Sequence, residues 1–170
     1  MPGDEFSVDF EPYEGLPIVE ITREELEKQA IRVQATWRGN LRKGQGAEGS
    51  HGGPYVNTGE ALNDIVYEFT GALEVRIGGD VVQLAVAEFG RAPGSPPPYD
   101  AIATWAREKG LTPEDGSFSD MVDAIRWAIA EHGLEPFAPA QAAANQHRGE
   151  LPDRLNARLD EELAQRASDG

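Results

Sequence analysis

Residues 72–87, which read ALEVRIGGDVVQLAVA, form the centre of the stretch from residue 55 to residue 111 around which the chain is organised. On both sides of Gly78-Gly79-Asp80, large apolar residues alternate with small or polar ones. A period of two is typical of strands that bury one face, and two glycines suit a tight turn because Gly adopts positive φ without cost. The stretch therefore predicts a β-hairpin over residues 72–77 and 81–87. We expect residues 65–69 to add another antiparallel strand, after a short helix at residues 60–64.

The first long helix is predicted from residue 22 to about residue 42. Thr22 and Glu25 fit a capping box, in which a hydroxyl and a carboxylate each accept a backbone N–H at the start of a helix. Apolar residues then recur at spacings of four and three, as one buried stripe requires. They are Leu26, Ala30, Val33, Trp37 and Leu41. We expect this stripe to pack on the apolar face of the hairpin, with Trp37 in the core.

Further helices are predicted downstream. The proline-rich residues 92–98 indicate a rigid corner before a helix that carries Trp105 and ends at Gly110. Ser119 is expected to cap another helix, which buries Val122, Ile125, Ala128 and Ile129 and ends at Gly133. The C-terminal residues place a leucine at every fourth position: Leu151, Leu155, Leu159 and Leu163. Such a narrow stripe forms no core alone, so a partner or the chain's own first helix should cover it.

These elements predict an α+β fold. An N-terminal amphipathic helix packs on a small antiparallel sheet of three or four strands, and two to four C-terminal helices follow. Three regions are expected: an acidic extended arm (residues 1–21), an α+β domain (residues 22–150) and a C-terminal amphipathic helix (residues 151–170). The arm carries large apolar residues that fit either docking on a neighbour or a disordered tail. The candidate interface residues are Phe6, Val8, Phe10, Tyr13, Leu155, Leu159 and Leu163.

Acidic residues outnumber basic residues by 30 to 15, which gives a net charge of −15, and only three of the basic residues are lysines. Such a surface repels nucleic acid. Two interpretations stay open: adaptation to high salt, and a wall along which DNA slides without sticking. With no cysteine, the chain forms no disulfide and no thiolate metal site, and the redox compartment stays undecided. No apolar run approaches the roughly 18 residues of a membrane helix, and the acidic start does not fit a secretory signal.

The chain shows few residues with catalytic or ligand-binding patterns. The three histidines, His51, His132 and His147, are widely separated. The glycine-rich residues 44–53 lack the GK[ST] ending of a phosphate loop. Asp120 and Asp123 could share a helix face, as metal-binding carboxylates do, but acids are common in the first turn of any helix. We therefore expect no catalytic residue, metal or cofactor.

Several short motifs follow one another in a characteristic order. Thr58-Gly59 precedes Leu62 before the predicted hairpin, and Glu88-Phe89-Gly90 ends its second strand. A loop containing Pro97 leads to a helix with Ile102, Trp105 and Lys109-Gly110-Leu111, and residues 137–140 (FAPA) close the series. In this order and spacing, residues 22–165 resemble the tail-completion, or head–tail joining (neck), proteins of long-tailed double-stranded DNA phages and related archaeal viruses.

The resemblance implies a structural virion protein without catalytic activity. Such a protein would form a homo-oligomeric ring between the portal or head-completion proteins and the tail tube or terminator proteins. Double-stranded DNA would pass through its lumen without specific contacts, and no membrane would be involved. We would then expect it in the neck of the virion, and in the host cytoplasm during assembly. With the acid excess, the resemblance also suggests a tailed virus of a halophilic host.

Two other classes of function stay open. One is a small carboxylate-dependent hydrolase that uses Asp120 with Asp123, or Glu88 beside Arg91. The other is an acidic adaptor or inhibitor that binds a basic host protein.

Overall fold

The structure is a computed structural model that describes residues 15–50, 55 and 59–169. The predicted arm residues Phe6, Val8, Phe10 and Tyr13 and the motif residue Thr58 lie outside the described residues. Seven helices and four short strands occur in the described part. In chain order they are α1 (Ile18–Lys43), β1 (Gln45–Gly46), β2 (Gly49–Ser50), α2 (Gly59–Asp64), β3 (Val66–Gly71), β4 (Glu74–Gly78), α3 (Val82–Phe89), α4 (Tyr99–Glu108), α5 (Phe118–His132), α6 (Pro139–His147) and α7 (Glu150–Asp169).

The α+β class and the N-terminal helix are confirmed, but the predicted sheet of three or four strands is wrong. The described strands form two separate antiparallel pairs, β1 with β2 and β3 with β4. Five helices, rather than two to four, follow β4, because residues predicted to form a strand form α3 instead. The short helix expected at residues 60–64 is present as α2.

The predicted hairpin is displaced by one element. β3 pairs with β4 in a register that places Val66 opposite Gly78 and Phe69 opposite Val75, so the chain reverses before Glu74 and not at Gly78-Gly79-Asp80. The expected strand at residues 65–69 is therefore present, but the expected strand at residues 81–87 is a helix. Leu84 and Ala87 are three residues apart and both are buried, which one side of a helix allows. In a strand, residues three apart point to opposite faces, so a strand could not bury both side chains on one side.

The largest core cluster forms around the C-terminal half of α1. Trp37 and Leu41 pack with Ile65, Leu84 and Phe137. The buried stripe of α1 and the core position of Trp37 are thus confirmed. The predicted capping box is wrong, because α1 begins at Ile18 and Thr22 lies inside it with its hydroxyl buried and unbonded among the described residues. Residues 18–21, which were expected to belong to the arm, are therefore part of α1.

The N-terminal half of α1 is covered by α7. Leu155 and Leu159 are 1% and 0% exposed and pack with Ile21. The alternative that the chain's own first helix covers the leucine stripe is therefore confirmed. The use of Leu155 and Leu159 as a surface for another molecule is wrong, because both side chains are buried within this chain. Leu163 is partly exposed, and its interface role stays a prediction.

Helices α4 and α5 pack on each other as a helical hairpin with its own small core. Gly110 ends α4 as predicted: its N–H bonds to Arg107 O at 3.0 Å, and the N–H of Leu111 bonds to Ala106 O at 2.9 Å. Ser117, not Ser119, caps α5, since its hydroxyl accepts the N–H of Asp120 in a complete capping box. Of the four residues expected to face inward, Val122 is buried, whereas Ala128 is exposed.

The helical hairpin joins the rest of the chain through two segments that meet at an isolated antiparallel bridge. Arg91 and Leu134 exchange two backbone hydrogen bonds of 2.8 Å each, directly after α3 and α5. Gly90 precedes this bridge with φ at +70°, and a Cβ atom there would lie 2.5 Å from the carbonyl oxygen of Leu134. Only glycine accommodates both the backbone angle and this close approach.

We predict that Gly90→Ala lowers the free energy of unfolding by about 2–3 kcal/mol, because it combines a disfavoured φ with a backbone clash. Thermal unfolding followed by circular dichroism should show a melting temperature lower by about 5–10 °C. Gly94→Ala is the matched control, since a Cβ atom at Gly94 meets no heavy atom within 4 Å. Equal melting temperatures for the two variants would contradict the bridge geometry.

Candidate interaction surface

Helix α3 carries apolar residues on both of its sides. Leu84 and Ala87 face the core, whereas Val82 and Phe89 are 69% and 80% exposed. Ala85 is also exposed, and Val86 is partly buried. Positions 82, 85, 86 and 89 lie along one face of a helix. We call these four residues the outer face of α3.

No charge lies on the outer face of α3. Glu88 is the one charged residue of the helix, and its carboxylate accepts the N–H groups of Ala140 at 2.8 Å and Gln141 at 3.0 Å. These N–H groups lie in the first turn of α6, where the helix dipole favours a negative charge. Glu88 is thus directed towards α6, and the outer face is left with apolar side chains. Exposed apolar patches of this kind mark interaction sites in many soluble proteins.

The motif residues fall in three places. Glu88, Phe89 and Gly90 lie where α3, the Arg91–Leu134 bridge and α6 meet. Gly59 begins α2, and Leu62 packs against the main core. The others belong to the helical hairpin. Pro97 accepts a hydrogen bond from Arg126 at 2.7 Å, Trp105 is 36% exposed, and Gly110 ends α4.

Sequence reasoning missed the outer face of α3. The assumed period of two placed Val82 on the same side as Leu84, whereas the structure places the two side chains on opposite sides. A signal was present in the sequence: positions 82, 85, 86 and 89 also fit the helical period, and two alanines favour a helix. The sequence left open which period applied.

A second exposed face lies on α5. Trp127 is 62% exposed, and Asp123 and Glu131 are located one turn before it and one turn after it. This tryptophan was not singled out from the sequence, because a lone aromatic residue in a helical pattern is usually buried. We call Asp120, Asp123, Ala124, Trp127 and Glu131 the outer face of α5.

The carboxylates considered for a hydrolase are engaged in structural contacts. Asp120 accepts hydrogen bonds from Ser117, which hold the pKa of its carboxyl below the ordinary value. Asp123 forms an ion pair with Arg126 at 2.6 Å. Within the described residues, no group of three or more His, Asp or Glu side chains is placed to hold a metal ion. The hydrolase interpretation gains no support from these contacts.

Thr36, His147 and Glu150 form a chain of hydrogen bonds between α1, α6 and α7. His147 Nε2 lies 2.8 Å from Thr36 Oγ1, and its Nδ1 lies 3.0 Å from Glu150 Oε1. Hydroxyl, imidazole and carboxylate occur in this order in hydrolase triads. Here, however, the second oxygen of Glu150 binds Arg32 and Arg154, and Thr36 lies in the middle of α1 with its hydroxyl turned towards α6. The arrangement joins three helices, and we assign it a structural role.

Glu25 is the buried charge of the same interface. Its carboxylate binds Lys28 Nζ at 2.6 Å and Arg154 Nε at 3.3 Å, and Arg154 also donates to Gln29 Oε1 at 2.6 Å. Burial acts to raise the pKa of Glu25, but the hydrogen bonds and charges of Lys28 and Arg154 outweigh burial and hold it below its ordinary value. The ionised form is therefore the one that stabilises the contact between α1 and α7.

Comparison with known proteins gives no match: no protein family, no curated protein and no solved structure is similar to this chain. The resemblance to tail-completion proteins therefore rests on the motif residues alone. None of the helices in the described part is long and apolar enough to cross a membrane.

We predict that Arg154→Met lowers the free energy of unfolding at pH 7 by about 2 kcal/mol, because it removes a charged hydrogen-bond donor from buried Glu25. Arg158→Met is the matched control, since it lies one turn further along α7 and its two partners, Glu161 and Glu162, are both more exposed than Glu25. Its effect should be much smaller.

The cost of Arg154→Met should also depend on pH. Because the folded-state pKa of Glu25 is lowered, its contribution is present above the unfolded value near 4.5 and is lost as pH falls through the folded value. Denaturant titrations at pH 7 and at stepwise lower pH should show the difference from wild type shrinking below about pH 4.5. A difference independent of pH would contradict the role of ionised Glu25.

Proposed function

We propose that this protein is a structural subunit of the head–tail connector (neck) of a tailed virus, and that it assembles into a homo-oligomeric ring through the outer face of α3. The observation that carries the proposal is the outer face of α3, which is exposed, apolar and uncharged. Its last residue, Phe89, belongs to Glu88-Phe89-Gly90, one of the motifs that resemble tail-completion proteins. Phe89, at 80% exposure, is the most exposed large hydrophobic residue of the described part of the chain.

Charge supports contact between copies at this face. Two chains of net charge −15 repel each other at most points of approach. Repulsion is weaker where one of the two surfaces lacks charge, and burial of apolar side chains there contributes about 25 cal/mol for each Å² removed from water. In a ring, the contact is heterologous: the outer face of α3 of one copy packs against a different surface of the next. A contact of two α3 faces with each other would end at a dimer.

The proposed ring would lie between the portal or head-completion proteins and the tail tube or terminator proteins. Its excess of carboxylates suits a lumen through which double-stranded DNA passes, because phosphate and carboxylate repel each other. In this function the chain needs no catalytic residue and no cofactor. The subunit would be synthesised in the host cytoplasm and would end in the neck of the virion.

The experiment is to measure the mass of the purified protein by light scattering at low and at molar salt, alone and with portal-containing heads. We expect a species larger than a dimer, or capture of the subunit by heads, and stronger assembly at high salt because salt screens the repulsion between copies. Phe89→Asp should weaken assembly at least about tenfold, since it places a charge in the apolar contact.

Ile31→Asp is the matched control. Ile31 is a helical residue with 47% exposure, and its neighbours one turn away are polar or small: Glu27, Lys28, Gln34 and Ala35. This variant should assemble like the wild type. A wild-type protein that stays monomeric at both salt concentrations and does not bind to heads would refute the proposed connector function. Equal loss of assembly in both variants would refute the assigned face.

A further inference from the structure

The outer face of α5 differs from that of α3 in its charge. Trp127 is 62% exposed and lies between Asp123 and Glu131, which occupy the preceding and the following helical turns. The one arginine of α5, Arg126, is turned inward: its Nε donates to Pro97 O, and its guanidinium lies 5.7 Å from the ring centre of Tyr99. Arg126 also pairs with Asp123 at 2.6 Å, which leaves Asp120 and Glu131 as the carboxylates of this face that pair with no lysine or arginine among the described residues.

The same sign of charge extends over the helical hairpin. Residues 99–135 contain eight carboxylates and three cations. Glu114 and Asp115, in the connection between α4 and α5, are exposed near Asp120 and line an open groove with it. Seven of the eight carboxylates are exposed, and Asp123 is partly exposed.

The helical hairpin presents this face on a firm support. Ala103, Ala106 and Val122 are nearly or fully buried between α4 and α5, and the hairpin is fastened to the rest of the chain at the Arg91–Leu134 bridge. The N–H of Gly94 adds a hydrogen bond to Ala130 O at 2.8 Å. A partner that binds here therefore needs to order little of this chain, which favours affinity.

We propose that the outer face of α5 is a docking site for a positively charged segment of another protein that carries apolar side chains between its arginines or lysines. Charge complementarity identifies the partner. Its cations pair with Asp120 and Glu131, and one of them stacks on the face of Trp127, the aromatic ring that attracts cations most strongly. A second copy of this chain is disfavoured at this face, because it would bring a net charge of −15 against exposed carboxylates. The site is separate from α3, and the inference does not require a ring.

The test uses the full chain and a fluorescently labelled helical peptide of arginine, leucine and alanine, with fluorescence anisotropy at physiological salt as the readout. We expect the wild type to bind this peptide and to bind a peptide with glycine in place of leucine at least about fivefold more weakly. Trp127→Ala should weaken binding of the leucine peptide by about tenfold, because Trp127 supplies most of the apolar contact.

Charge is tested by Glu131→Lys with Glu48→Lys as the matched control. Both positions are exposed, and both substitutions change the net charge equally, but Glu48 lies in the turn between β1 and β2. We expect Glu131→Lys to weaken binding about tenfold and Glu48→Lys less than about twofold. Melting temperatures should stay close to that of the wild type for all three variants, since the side chains are exposed.

Four outcomes would overturn the inference. Equal weakening by Glu131→Lys and Glu48→Lys would mean that the peptide responds to net charge alone. Unchanged affinity of Trp127→Ala would place the binding elsewhere. Concentration-dependent self-association that Trp127→Ala abolishes would make the occupant a second copy of this chain. A ring that assembles normally while the peptide fails to bind would refute this inference and leave the proposed function in place.

Discussion

The fold depends on burial of one side of α1 along its whole length. A helix of 26 residues is about 39 Å long, which exceeds the span of any other single element of this chain. Two separate clusters therefore cover it. The strands, α3 and the Phe137 corner cover Trp37 and Leu41, while α7 covers Ile21. The charged contact of Glu25 with Arg154 and the His147 hydrogen bonds lie between these clusters and fix the position of α7 on α1.

Two helix starts are stabilised by carboxylates from other elements. Asp64, at the end of α2, accepts the N–H of Val81 at 2.8 Å just before α3, and Glu88, near the end of α3, accepts two N–H groups in the first turn of α6. The residues at the N-caps of these helices, Val81 and Ala138, form no side-chain cap of their own. α2 thus helps to set where α3 begins, and α3 helps to set where α6 begins. These helix starts depend on contacts between residues that are distant in sequence.

This explains how far the sequence could predict the fold. Local signals were sufficient for the stripe of α1, for the end of α4 at Gly110 and for the leucine stripe of α7. They failed for α3, because its cap comes from Asp64, 17 residues away, and its alternating residues fit both periods. They also misplaced the start of α1, where Thr22 and Glu25 have the capping pattern but Glu25 is used by Lys28 and Arg154. The exposure of Phe89 and Trp127 depends on packing between elements, which no local pattern reports.

The two contacts proposed for the outer faces of α3 and α5 differ in their chemistry. α3 offers apolar side chains without charge, so its contact gains from burial and is limited by the long-range repulsion of the whole chain. α5 offers an aromatic ring among carboxylates, so its contact gains from a basic partner.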